Sequence, residues 1–422
     1  MKKHLRTAAG WTTLAGLTLL AAGCSDAGGA EPTEDGTTPA VADGGSLTVW
    51  VMGDSSANFE QLVAPFAADT GTEVEVVAIP WDAIDERITT AVGSGDGPDL
   101  LQIGLSKLRT FADAGVLMDL SDATGDHPAI DPSNFPSGAA SAVGEELVSV
   151  PWVSDTRVLF TRDDILSEAG IDAPPSTWEE LLDAASTLAA RGGDQYGYYI
   201  PQWDSPLPLE MTWSYGGDVV TDGAIDFDTP EFHAAVDTYL QLYSDGSVPV
   251  NGDFDQTQGF VSGIAPMLIS GPYLASSISS AAPELDGSWS VSLIPGGDGH
   301  DPVSLFAGSN LGVWGSTDNP DGALALLEYL SEPATQLEWY SIQGELPAAS
   351  AALSDASLAA DPMVAVYTEQ LASSNAVPLV PDWDGDTGAA LLEALNSIAL
   401  QGADRDSTLQ ALFDATTGTP TS

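Results

Sequence analysis

The chain is 422 residues long and carries 62 Asp and Glu against 10 Lys and Arg, a formal net charge of −52. An acidic field of this size excludes nucleic acid and anionic lipid headgroups as direct ligands, because it repels polyanions. The single cysteine excludes an internal disulfide, and the length exceeds the size at which one apolar core stops growing, so two bodies held by their cores are implied.

Two explanations fit the acidity. A high-salt habitat is favoured, since at about 1 M salt the screening length falls to roughly 3 Å and self-repulsion becomes tolerable; a generally acidic proteome is the alternative. At the N-terminus Lys2, Lys3 and Arg6 precede an apolar run at 14–22 and the box Leu20-Ala21-Ala22-Gly23-Cys24. The pattern predicts a lipoprotein signal, residues 1–24, with Cys24 lipidated after cleavage; an ordinary secretory signal with an incidental cysteine is the other reading. The run is too short for a permanent membrane span. Residues 25–45 offer almost nothing to bury and predict a disordered tether reaching on the order of 25 Å.

The folded part begins with an apolar strand at 47–51, and Phe59, Leu62, Val63 and Phe66 then mark one helical face. A strand at 73–79, a helix from Asp82 with Ile84, Ile88 and Val92 inward, and a strand at 99–103 complete a βαβαβ series. That series implies a mostly parallel sheet with right-handed crossovers. Ligands sit at the carboxyl ends of such strands, which places Asp54, Trp81 and Gln102 at the rim. Gly93, Gly95 and Gly97 follow a helix and open a strand, the reverse of a phosphate loop, and read as a helix cap and turn.

Residues 153–161 alternate as one strand. Ile165, Leu166 and Ala169 then mark a short helix ending at Gly170, and Pro174-Pro175 breaks the chain before a helix opened by Ser176-Thr177, with Trp178, Leu181, Leu182 and Ala185 on its core face. The stretch at 196–249 is aromatic and turn-rich, with Trp213 and Tyr215 beside Gly216-Gly217. Later, Gly271 opens a helix ahead of Tyr273, Gly308-Ser309-Asn310 reads as a turn of exposed amides, and helices follow within 319–340, 391–398 and 407–413. Asp382, Asp384, Asp386 and Glu393 touch a calcium-loop template, but Thr387 stands where it needs Gly; a plain acidic loop is the simpler reading. No Gly-x-Ser-x-Gly or His-Glu-x-x-His motif occurs.

The run Pro151-Trp152-x-x-Asp155-Thr156-Arg157-x-Leu159-x-x-Arg162, continued by Ala169-Gly170 and Thr177-Trp178-x-x-Leu181, resembles the crossover segment of the extracellular solute-binding proteins that deliver sugars to ATP-binding-cassette importers. Gly71 to Val76 with 93–99, Trp213 to Asp218, 258–273, 304–314 and 344–347 resemble further segments of that family, with Ala307 standing where it usually has Gly. The resemblance spans 46–417. It implies an α/β, two-lobe periplasmic-binding-protein-like (Venus-flytrap) fold whose hinge has about three crossings, near Val153, Pro302 and Glu345. Lobe 1 would hold 46–153 plus 302–345, and lobe 2 154–301 plus 346–417.

What the resemblance implies is a substrate-binding lipoprotein of a carbohydrate importer, a monomer anchored at the extracellular face of the cell membrane. It would capture a neutral oligosaccharide of two or more units and deliver it to the permease subunits, without catalysis, cofactor or metal. Few cations argue against an anionic sugar. Trp81, Trp152, Trp213, Tyr215, Tyr273 and Trp383 are candidate stacking faces for pyranose rings, each with core filling as the competing reading. Asp54, Gln102, Asp155, Gly308, Ser309, Asn310 and Glu345 are candidate hydroxyl partners, and Arg157 is the lone cation expected near the cleft. An extracellular polysaccharide-active enzyme and a surface sugar sensor remain as other classes.

Overall fold

The computed structural model describes residues 45–53, 55–136, 141–251 and 254–421. Cys24, the signal, nearly all of the tether and Asp54 lie outside them.

Strands Ser46–Met52, Glu73–Ile79 and Leu100–Gly104 pair in parallel, with helices Ser56–Thr70 and Ile84–Ser94 as the crossovers. The first strand is apolar on both faces because both are covered. Leu47, Val49 and Val51 pack with Phe59, Leu62 and Val63, whereas Trp50 and Met52 pack with Ile84, Ile88 and Ala91. Ala91 holds the last inward position of that helix, and Val92, expected there, is 54% exposed. Ile84, Ile88 and Ala91 follow the i, i+4, i+7 stripe, which leaves Val92 on the solvent side.

The sheet continues antiparallel through the long strand Ser304–Val313, which lies between Leu100–Gly104 and Val150–Thr156, and Leu346–Pro347 closes that edge. The second body carries a small antiparallel sheet with Val158–Thr161 between Met267–Ser270 and Ser290–Ser292. Helices Trp178–Ala189, Leu207–Ser214, Pro230–Ser244, Gly388–Gln401 and Arg405–Thr416 contribute to its main core. Thr177 caps the first of these, its hydroxyl accepting from the Glu180 N–H.

The run 153–161 is therefore two strands in two sheets, parted at Arg157. Its unbroken alternation carries no mark of the break, because both pieces are buried and β-rich. A second passage between the bodies joins Ser290–Ser292 to Ser304–Val313. Past Glu345, residues Ala348, Ala349 and Ala352 still pack in the first body's core, while Leu358, Val364 and Tyr367 pack with Val158 and Phe160 of the second. Ser374–Ala376 then pairs in parallel with the start of Ser304–Val313.

Candidate ligand cleft

Between the two bodies lies a cleft of about 450 Å³, a size typical of small-molecule sites. Trp81 enters it from the first body, at the start of the 3-10 turn Trp81–Ala83 behind Pro80, with 53% of its surface exposed. Small neighbours make room for the ring: a Cβ on Gly104 would stand 3.3 Å from it. Tyr273 enters from the second body at the head of helix Tyr273–Ala281, 49% exposed. Its hydroxyl accepts from Gln256 Nε2 at 3.0 Å and Ser270 Oγ at 3.1 Å, which fixes the ring's edge and leaves a face open.

The floor is polar. Gln102 Oε1 accepts the Met52 N–H at 2.9 Å and its Nε2 donates to Ser309 Oγ at 2.7 Å, so its amide orients Ser309. Gly308 adopts φ +126°, and a Cβ there would meet the Val153 carbonyl oxygen at 2.1 Å. The residue that needs glycine is thus Gly308, and Ala307 sits without conflict in an ordinary strand position opposite Asp155.

Asp155 and Glu345 both line the cleft. Leu346 pairs with Ser154 at the end of an antiparallel ladder, and Glu345, the residue just ahead of it, comes near enough to Asp155 for its charge to act there. Burial, followed by the charge of Glu345, pushes the Asp155 carboxyl up to about 7. Burial also raises Glu345, opposed by the hydrogen bond its Oε2 accepts from Trp339 Nε1 at 2.8 Å. Asp155 Oδ1 is sealed from solvent with no hydrogen-bond partner, an expensive state for a carboxylate oxygen. Sequence reasoning missed Ser154, Ser276 and Gln343, which also line the cleft; their signal was only adjacency, to Asp155, Tyr273 and Gly344-Glu345.

Several expected site residues lie elsewhere. Trp152 is 1% exposed and packs edge-on to Phe59, with ring centroids 5.9 Å apart, because its side of the strand faces the first core. Trp213 and Trp383 belong to the second body's core, Trp383 at 1% exposure. Tyr215 exchanges a hydrogen bond with Thr238 Oγ1 at 2.7 Å and does not line the cleft. Gly308, Ser309 and Asn310 form no exposed turn but the middle of a ten-residue strand, with Asn310 Nδ2 donating to Ser149 at 2.9 Å beneath the surface.

Arg157 likewise does not line the cleft. Its Nη1 donates to Asp204 at 2.8 Å and Glu210 at 2.9 Å, and its Nη2 donates to the Ile269 carbonyl at 3.1 Å. Glu210 in turn accepts from the Leu305 N–H and Ser304 Oγ, each at 3.0 Å, so one buried group ties together the first two passages between the bodies. Burial raises Glu210 towards about 7, against the pull of Arg157. Burial opposes the Arg157 charge too, and Asp204 and Glu210 outweigh it.

The bodies meet again through residues outside the cleft's lining. Lys107, on helix Leu105–Asp113, pairs with Asp382 at 3.4 Å and Asp384 at 3.7 Å, and Ser106 donates to Asp384 at 2.8 Å. Asp382 also caps the turn by accepting the Gly385 N–H at 2.9 Å. These acids of the calcium-like stretch are thereby engaged with the opposite body and their own backbone.

Two α/β bodies joined by repeated passages around a polar-floored cleft define a hinged, two-lobe binding protein. Residues 51–337 match the family described as bacterial extracellular solute-binding protein, and the chain belongs to it. Proteins of this family are the substrate-binding components of ATP-binding-cassette importers and perform no catalysis. The chain is similar to the diacetylchitobiose binding protein DasA of Streptomyces coelicolor, 26% identical over 396 residues covering 91% of this chain and 90% of that one. It is similar to a putative binding protein of Brucella abortus, 25% identical over 364 residues covering 83% and 87%. Among solved structures, the sugar-binding protein MalE from Xanthomonas citri superimposes with a TM-score of 0.80 at 26% identity, covering 88% of this chain and 96% of that one. Among the described residues no helix is long and apolar enough to cross a membrane.

Proposed function

We propose that this protein captures an oligosaccharide in the cleft and hands it to the importer's permease, held at the outer face of the membrane by a lipid on Cys24. One observation carries the reading: two half-exposed aromatic rings, Trp81 and Tyr273, enter a single polar-floored cleft from opposite bodies. A pyranose presents an apolar C–H face to such a ring and a hydroxyl rim to groups such as Ser309, Asp155 and Glu345. None of the described lining residues is Lys, Arg or His, which disfavours a phosphorylated or carboxylated ligand. The names of two similar proteins, a diacetylchitobiose binder and a sugar-binding MalE, support the same class. Domain closure around the sugar would present the closed form to the permease.

The test is thermal unfolding with cello-, xylo-, malto-, chito- and manno-oligosaccharides. A ligand at about 100 times its Kd stabilises the folded state by about 2.7 kcal/mol, a rise of several degrees in Tm. No shift with any of them would reject the proposal, and release of shorter products would move the protein to the enzymes. For the anchor, Cys24→Ala is expected to shift the protein from the membrane fraction to the medium.

A further inference from the structure

We propose that the cleft selects a sugar bearing a protonated amine, an oligosaccharide of the glucosamine type, over its N-acetylated and plain glucose counterparts; this rests on the reading of the cleft as a sugar site. The floor brings together two carboxylates, Asp155 near the end of strand Val150–Thr156 and Glu345 just ahead of strand Leu346–Pro347, close enough that the charge of Glu345 bears on Asp155. Like charges so placed repel one another, and a cation between them converts the repulsion into attraction.

No cation of the protein fills that role among the described lining residues. Arg157, two residues on at the break between the strands, donates to Asp204 and Glu210, and its charge only partly offsets the burial of Asp155. The other groups near Asp155 are phenols: Tyr367 from helix Pro362–Leu371, itself buried with its hydroxyl unpartnered, and beyond it Tyr273. Asp155 Oδ1, sealed from solvent, has no hydrogen-bond partner within the protein either, so the protein itself leaves this carboxyl short of donors. An ammonium group carries three donors and a charge, and supplies what a hydroxyl supplies only in part.

The walls agree with the floor. Trp81 and Tyr273 offer aromatic faces, which attract a cation electrostatically as well as stacking on a sugar ring. A metal ion fits less well, since among the described residues no group of three His, Cys, Asp or Glu gathers there. The formal charge of −52 draws cationic ligands towards the whole molecule. The raised Asp155 carboxyl is consistent with an acceptor that holds a proton until a cationic ligand displaces it.

The experiment is titration calorimetry on the full mature chain at about pH 7 and moderate salt, with dimers and trimers of β-1,4-linked glucosamine, N-acetylglucosamine and glucose as the probes. The expected result is glucosamine oligomers binding about tenfold or more tighter than the other two, with proton release visible as a buffer-dependent heat. Asp155→Asn is expected to erase that preference, costing the glucosamine oligomers about tenfold or more beyond whatever it costs the neutral sugars. Glu345→Gln serves as the second variant if the first does not fold. Neutral oligomers binding as tightly as glucosamine ones, or Asp155→Asn weakening all three alike, overturns the amine selectivity and leaves the sugar reading standing. Binding of none of the three while another glycan class binds also overturns it, and binding of no glycan at all removes the sugar reading on which it rests.

Discussion

Replacing Arg157 by Met leaves Asp204 and Glu210 buried at 1% and 0% exposure without their counter-charge. Breaking a buried ion pair from one side costs about 3–5 kcal/mol, because the stranded charge loses its partner without regaining water. For bodies of this size each kcal/mol moves Tm by about 2–4 °C, so a fall of roughly 6–20 °C is expected. Glu210 also holds the Leu305 N–H and Ser304 Oγ, so the loss should loosen both passages between the bodies at once. A triple variant with Arg157→Met, Asp204→Leu and Glu210→Met should recover most of the loss, since a packed apolar trio replaces a buried charge cluster at little cost. Thermal and urea unfolding measure the stability, and ligand calorimetry on the folded fraction measures binding. If Arg157→Met melts within about 1 kcal/mol of the parent but loses ligand affinity, Arg157 is a binding residue and the fastening role is wrong.

Two tryptophans separate core from cleft: Trp383→Ala is expected to cost about 3–5 kcal/mol with affinity of the folded fraction unchanged, while Trp81→Ala leaves the melt within about 0.5 kcal/mol and weakens sugar binding by about 1–2 kcal/mol. The converse pattern in melting and calorimetry would reverse their assignments. For Asp155, the folded carboxyl at about 7 lies above its ordinary 3.8, so between those values the folded state holds a proton the unfolded state has lost, and stability falls as pH rises through that window. Asp155→Asn should therefore be neutral near pH 3.5 and stabilising by on the order of 2 kcal/mol at pH 8, discounted for the water in the open cleft; a stabilisation that does not grow with pH contradicts the burial argument. Gly308→Ala must hold a φ of +126° and at the same time bring its Cβ to 2.1 Å from the Val153 carbonyl oxygen, so the backbone has to shift and a loss of about 2 kcal/mol or more in urea unfolding is expected.

Much of the fold was legible because burial leaves a periodic mark. The apolar run at 47–51, the alternation at 73–79 and the stripe through Ile84 and Ile88 define the parallel half of the first body, and Thr177 with Glu180 announces a capped helix. The motif around Pro151-Trp152 carried the family with it. The break at Arg157 left no such mark, since the pieces on either side are equally buried and β-rich.

The cleft itself was only half legible. Trp81, Gln102, Asp155, Tyr273, Gly308, Ser309 and Glu345 do line it, whereas Trp152, Trp213, Tyr215, Asn310, Trp383 and Arg157 do not. An aromatic ring stacks equally well on a sugar or on a neighbouring side chain, so composition cannot tell Trp81 from Trp383. What separates them is which neighbours cover each one, and those neighbours come from distant parts of the chain. The sequence by itself determined two α/β bodies, their buried faces and their family. Only the tertiary structure decided that Leu346 pairs with Ser154 and so sets Glu345 against Asp155, because strand register between remote segments is fixed by the packing of both bodies and not by either segment alone.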